Sequence, residues 1–366
     1  MPTVADVLRW HGPGYLEQFG RNMPAEHRKV LHALTACRTG QLGTVIYTCL
    51  SCGRTHAMGR SCGNRHCPTC QQDKTRVWLE KQTARLLPCP YFLLTFTLPA
   101  ELRELVRANQ RACYAALFEA SSEALQTLAA DPKYLGTKTP GFFGVLHTWG
   151  RTLEYHPHVH YVVPGGGLAD DGEKWLPSRA DFFVPVKALS ILFRAKFRDA
   201  LKRAGLYAQA PAAVWKQPWV VNSQAVGDGR ASLKYLAPYV FRVALSDRRI
   251  ISVDDEQVTF SYRKSGTNRW RKMTLAPHEF IRRFLQHVLP TGFQKVRHYG
   301  FLATSRGVSI EALRWLVSLH YGLVYLLWSQ QLVAPELPKM RCPACGGALV
   351  ASALVLGCTV VYFDTS

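Results

Sequence analysis

Acidic residues are scarce in this chain: of 366 residues, 25 are Asp or Glu against 45 Lys or Arg, a formal net charge of +20 with a pI near 9.7. An imbalance of that size points to a polyanionic partner, most simply nucleic acid. There is no internal repeat, low-complexity tract or Gly-x-x-x-x-Gly-Lys-Ser/Thr phosphate loop, so collagen-like, coiled-coil and disordered chains are excluded, as is any evident nucleotide-driven motor. The opening MPTVADVLRWHGPG lacks a basic stretch running into a long apolar one, so no secretory signal is read there. The apolar runs Trp315 to Trp328 and Cys342 to Phe363 are respectively too short and too broken by Pro and Gly to span a bilayer. What is present is ample core material, 48% hydrophobic and 11% aromatic residues, in a chain long enough for two domains.

The eleven cysteines are unevenly placed: six lie between Cys37 and Cys70, three near the C-terminus, and Cys89 and Cys113 stand alone. This is metal-ligand spacing, not a disulfide framework, and with the absent leader it implies a reducing, cytoplasmic location in association with the nucleoid. The pairs Cys49-Leu-Ser-Cys52 and Cys67-Pro-Thr-Cys70 each present two thiolates from one tight turn, and tetrahedral closure needs two such turns. The expected zinc ligands are therefore Cys49, Cys52, Cys67 and Cys70. Cys37, Cys62 and His66 are left for a second zinc, with His56 or His32 as a fourth ligand. Cys342-Pro-Ala-Cys345-Gly-Gly is half a zinc knuckle with Cys358 a poor third ligand, and it stays unassigned.

Periodicity and Pro/Gly punctuation give an α+β chain in three stretches: a helical and zinc-binding region 1–87 closed by Pro88 and Pro90, a central region 88–305, and a helical, Cys-containing tail 306–366. Strands are expected at Tyr91 to Pro99, Gly141 to Gly150 and His158 to Gly167, the last two as antiparallel neighbours, and near Val214 to Val221. Three short strands follow between Arg249 and Leu275. Helices are expected at about Gln71 to Leu87, Ala100 to Ala130, Lys187 to Arg203 and Ser232 to Val243, with one more starting at Pro277.

Two motifs carry chemistry. In His156-Pro-His158-Val-His160 the period-two alternation of a strand puts His158 and His160 on one face, where they can chelate a divalent ion. His156 would join them only if the strand began earlier, which Pro157 argues against. In Lys234-Tyr235-Leu-Ala-Pro238-Tyr239 a helix puts Tyr235 and Tyr239 one turn apart on a common face. Alone, each motif could be ordinary core.

In order and together, these motifs resemble the two-tyrosine HUH transposases of rolling-circle insertion sequences, which carry an N-terminal transposase zinc-binding domain. The likeness rests on His156-Pro-His158-Val-His160 with the Val163-Pro-Gly-Gly turn, Lys234 to Tyr239, Arg65-His66-Cys67-Pro-x-Cys70, Glu279 to Leu285 and Val296-Arg-His-Tyr-Gly-Phe301. The resemblance implies an HUH endonuclease core, an antiparallel sheet flanked by helices, with His158 and His160 as metal ligands and Tyr235 and Tyr239 as nucleophiles. A structural Zn²⁺ and a catalytic Mg²⁺ or Mn²⁺ are implied, the latter with a Glu, Gln or Asp completing its ligands. The implied activity is nicking and rejoining of single-stranded or hairpin DNA at element ends and target through a 5′-phosphotyrosine. Lys234, Arg242, Arg65 and Arg76 are the expected DNA contacts, and Tyr155, Tyr161, Trp270 and Tyr299 are candidates for base stacking. Pro238 departs from the family's usual basic residue: either the helix begins near Ala237, or the second tyrosine is reoriented. A zinc-dependent DNA-binding protein without catalysis is the alternative.

Overall fold

The computed structural model describes residues 1–241, 245–264, 267, 269–303, 305, 307–322 and 340–363, the side chains of residues 72, 73, 239 and 241 apart. Helices and antiparallel sheets alternate in an α+β arrangement that divides into two compact units. The units are not three consecutive stretches. One contains residues 78–240 and 289–332; the other gathers residues 1–77, 241–288 and 333–366. The tail does not stand apart, because its strand Leu349–Leu356 pairs with Thr44–Cys49.

The first of these units is built on a five-stranded antiparallel sheet in the order Val296–Tyr299, Phe142–Trp149, Tyr155–Pro164, Tyr91–Thr97, Val221–Ala225. Alternation divides its faces. Phe92, Leu94, Phe96, Phe142, Leu146, Val159, Tyr161 and Val163 point to a buried core shared with the helices Gln110–Ala130 and Val186–Arg203. Tyr161 anchors that layer: its ring meets Phe96 and Phe142 edge-on, and its hydroxyl hydrogen-bonds Ser121 Oγ at 2.7 Å. Gly144 sits directly across from it. A Cβ there would lie 2.4 Å from the Tyr161 ring, so the space of one side chain is given to the other.

Three elements differ from their sequence expectations, each through proline or a turn. The central strand starts at Tyr155 and includes Pro157. The register against Phe142–Trp149 shifts between His147 and Trp149, leaving one extra residue on the central strand, and at such a bulge the missing N–H of proline costs no ladder bond. The strand expected near Val214 to Val221 is a 3-10 turn over Ala212–Trp215, with the strand itself at Val221–Ala225, after Pro218. The long helix is interrupted at Asn109, whose φ of −124° and ψ of 46° are not helical.

The other unit packs Val4–Phe19 with Ala25–Thr35 and with Pro277–Leu285. It also holds two small sheets: a three-stranded meander over Ile250–Val253, Val258–Arg263 and Trp270–Leu275, and a four-stranded sheet in which Thr44–Cys49 lies between Thr55–Gly59 and Leu349–Leu356, with Thr359–Tyr362 outside. Among the described residues no helix is long and apolar enough to cross a membrane.

Candidate active site and cysteine clusters

The face of the five-stranded sheet opposite the aromatic core carries a cluster of three histidines. His158 and His160 share it because they are two apart on one strand, and His147 joins them because it lies opposite His158 in the neighbouring strand. Their ligand-capable nitrogens all fall within 4.8 Å of one another. The ring centroids of His147 lie 5.2 Å from His158 and 4.6 Å from His160. No Asp or Glu belongs to this group among the described residues, so the third side chain beside His158 and His160 is an imidazole and not a carboxylate. His147 was visible in the sequence as a strand histidine; the register that sets it beside His158 was not.

The second nitrogen of each ring on the central strand is spoken for. His158 Nδ1 donates to the His156 carbonyl oxygen at 2.6 Å, and His160 Nδ1 lies 2.9 Å from Thr95 Oγ1. Hydrogen bonds of this kind fix tautomer and ring orientation for ligation by Nε2. His160 Nε2 is buried and makes no hydrogen bond, an arrangement that costs free energy unless something pairs with that nitrogen. Burial also keeps the imidazoles neutral: it pushes His158 down to about 4, and His147 and His160 well below their ordinary value. Neutral imidazole is the form that binds metal. His156 shares the strand but not the group, its Nδ1 facing Arg103 Nη2 at 3.0 Å.

Beside the histidines lies the helix Arg230–Phe241, which contains Pro238 in its interior, so it does not begin near Ala237. Tyr235 is half exposed, with its ring perpendicular to that of His160 at a centroid distance of 5.9 Å. Lys234 is exposed next to it. Tyr239 is placed by its backbone one turn further along the same helix; its side chain, like the whole of Arg242, lies outside the described residues. Tyr155 and Tyr161 are no base-stacking platforms, because both are buried in the aromatic core, where burial raises their phenols above the ordinary value. Tyr299 stacks on Phe142 at 4.8 Å, whereas Trp270 is exposed beneath Arg263.

The cysteines form two quartets, and neither is the expected one. Cys67 and Cys70 stand with Cys37 and Cys62, while Cys49 and Cys52 stand with Cys342 and Cys345. The split follows from the sheet: the turn holding Cys49 and Cys52 caps the hairpin that the C-terminal strand joins, which carries it away from Cys67 and Cys70 and toward Cys342. In the first quartet the sulfur separations are 3.4 Å for Cys37 and Cys70, 3.7 Å for Cys62 and Cys70, and 3.8 Å for Cys67 and Cys37. Tetrahedral thiolates at about 2.3 Å from one ion are separated by about 3.8 Å. Hydrogen bonds from the Cys62 and Cys67 thiols draw Cys70 down toward the thiolate that such binding requires. His66 stays outside the quartet; it is buried, with Nδ1 3.1 Å from Asn64 Oδ1. Arg65 is half-buried and Arg76 is exposed.

Comparison with known proteins places this architecture. A family model described as "Putative transposase" matches residues 141–309, and one described as "Transposase zinc-binding domain" matches residues 7–98. The chain is 39% identical over 322 residues to the "Putative transposase y4qJ" of Sinorhizobium fredii (strain NBRC 101917 / NGR234), covering 82% of this chain and 80% of that one. It is 29% identical over 362 residues to the "Transposase for insertion sequence element IS801" of Pseudomonas savastanoi pv. phaseolicola, covering 89% and 83%. No solved structure matches. With the two histidine-bearing strands inside the first match and the Cys37 quartet inside the second, the chain belongs to this family of insertion-sequence transposases and carries their zinc-binding domain at its N-terminal end.

Proposed function

We propose that this transposase cleaves and rejoins single-stranded DNA at element ends by a covalent tyrosine mechanism, with His147, His158 and His160 holding a divalent ion and Tyr235 as the first nucleophile. The observation that carries this reading is the meeting of three neutral imidazoles, one of them with a buried Nε2 that makes no hydrogen bond, beside a half-exposed tyrosine. A phosphodiester resists attack because it is anionic, and the ion bound there would supply Lewis-acid polarisation of a non-bridging oxygen. Three imidazoles without a carboxylate suit Mn²⁺ better than Mg²⁺, which prefers oxygen ligands.

Tyr235 does the covalent work in this scheme. Its Oη gives up its proton and bonds to the scissile phosphorus; the bond to the 3′-oxygen breaks, and that oxygen leaves as a hydroxyl after taking up a proton. The product is a 5′-phosphotyrosine that keeps the phosphodiester energy, so a later 3′-hydroxyl can displace the tyrosine without ATP. Tyr239, one turn further on in the same helix, would serve a second transfer. Lys234, with Arg65 and Arg76 in the zinc-binding region, would contact the phosphate backbone. The Cys37, Cys62, Cys67 and Cys70 quartet would hold the structural zinc of that region.

The test is incubation with labelled single-stranded DNA carrying the flanking ends of the element, with Mn²⁺ or Mg²⁺, followed by a denaturing gel. A covalent protein–DNA adduct that needs the metal, is lost in Tyr235→Phe and forms more readily with Mn²⁺ is expected. Metal-independent binding without an adduct, by a folded and zinc-loaded protein on cognate ends, would favour a non-catalytic DNA-binding role.

A further inference from the structure

The matched zinc-binding domain ends at residue 98 and so contains only half of the second cysteine quartet. We propose that Cys49, Cys52, Cys342 and Cys345 bind a zinc ion of their own, which fastens the C-terminal knuckle to the N-terminal hairpin and completes the zinc-binding region with residues from the far end of the chain. The proposal is independent of the nuclease reading.

Two half-sites of the same design face each other. Each is a Cys-x-x-Cys-Gly turn, and the glycine of each has the left-handed backbone that other residues resist, φ +69° at Gly53 and +75° at Gly346. In both, that glycine's N–H donates to the carbonyl of the first cysteine, at 2.9 Å from Gly53 to Cys49 and 2.8 Å from Gly346 to Cys342. A turn of this shape points two sulfurs the same way, and two of them close a tetrahedron. Across the gap the sulfurs of Cys49 and Cys345 are 3.5 Å apart and those of Cys52 and Cys342 3.8 Å apart. These separations suit thiolates sharing an ion and far exceed the roughly 2.05 Å of a disulfide bond.

The half-sites are also fitted to each other. Leu50 N–H donates to the Ala348 carbonyl at 3.0 Å, extending the pairing of Thr44–Cys49 with Leu349–Leu356 up to the knuckles. A Cβ on Gly347 would fall 2.3 Å from Ser51 Oγ and 3.1 Å from Cys49 Sγ, so glycine allows this approach without displacing Ser51. His56 Nε2 lies 3.3 Å from Cys342 Sγ, where an N–H can stabilise a thiolate ligand from outside the tetrahedron. Cys358, in the same tail, is exposed and belongs to neither quartet. It serves as an internal control.

Zinc per chain, measured on the purified full-length protein, should be two. It should fall to one in Cys342→Ser/Cys345→Ser and remain two in Cys358→Ser. Thiol alkylation of the unmodified protein, mapped by peptide mass spectrometry, needs no substitution and so decides even if the double variant does not fold. Cys358 should label at once, and Cys49, Cys52, Cys342 and Cys345 should become reactive together when a zinc chelator is added. A full-length protein with one zinc, a double variant retaining two, or Cys342 and Cys345 labelling as fast as Cys358 while Cys49 and Cys52 stay protected would overturn the proposal.

Discussion

The histidine trio and the cysteine quartets, which we propose hold metal, are built in opposite ways. The histidines stand on paired strands of a sheet whose other face is a continuous aromatic core, so their positions are set by apolar packing whether or not an ion is present. The cysteines stand on turns, where local packing alone cannot hold four thiols together against chain entropy. In the first case the fold makes the site; in the second a bound zinc would make the fold.

The largest expected effect follows directly. Stripping metal with a strong chelator should raise the rate of proteolysis within residues 37–70 by roughly a hundredfold or more, since zinc affinity there is folding free energy, and leave the peptides of the five-stranded sheet protected. Equal loss of protection in both regions, followed by mass spectrometry, would break the contrast. Next in size, His147→Ala should weaken Mn²⁺ binding by about a hundredfold, whereas Thr95→Val, which removes only the partner of His160 Nδ1, should cost about tenfold. Titration calorimetry that finds His147→Ala unchanged would remove this residue from the ligand set. Gly144→Ala tests whether the core holds the site: forcing a methyl against Tyr161 should destabilise the protein by about 1–3 kcal/mol in urea unfolding, with no effect on zinc content.

Acidity should have a smaller and graded effect. His158 has its folded value depressed by burial to about 4, against an ordinary value near 6.5. The unfolded chain thus takes up the proton first. The stability this residue contributes is complete above about pH 6.5 and is lost as the pH falls toward 4. Carbon-detected NMR of the metal-free sheet histidines should show the His158 ring titrating near 4; a midpoint near 6.5 would mean that the site is open to water.

This contrast also explains what could be read from the sequence. His158 and His160 were legible because period two is a local property of one strand, and Tyr235 because i, i+4 spacing is local to one helix. His147 was not, because its place depends on the register between two strands, which a bulge at the His156 to Pro157 step shifts. The cysteine pairs were recognisable, but their partners were not: Cys49 and Cys345 are joined through a strand pairing that spans nearly the whole chain. Two prolines stand where local rules disfavour them. Pro157 and Pro238 both occupy regular elements that local rules disfavour, the first at a bulge with no ladder bond to lose, the second in a helix where it cannot donate to the Lys234 carbonyl.

The central claim is that the histidine face and Tyr235 form one reaction centre. Its most direct test is to digest the metal-dependent protein–DNA adduct and locate the modified peptide by mass spectrometry. The account predicts a deoxynucleotide linked through its 5′-phosphate to Tyr235, and no such adduct in Tyr235→Phe. A nucleotide linked to any residue outside the helix Arg230–Phe241 would contradict it.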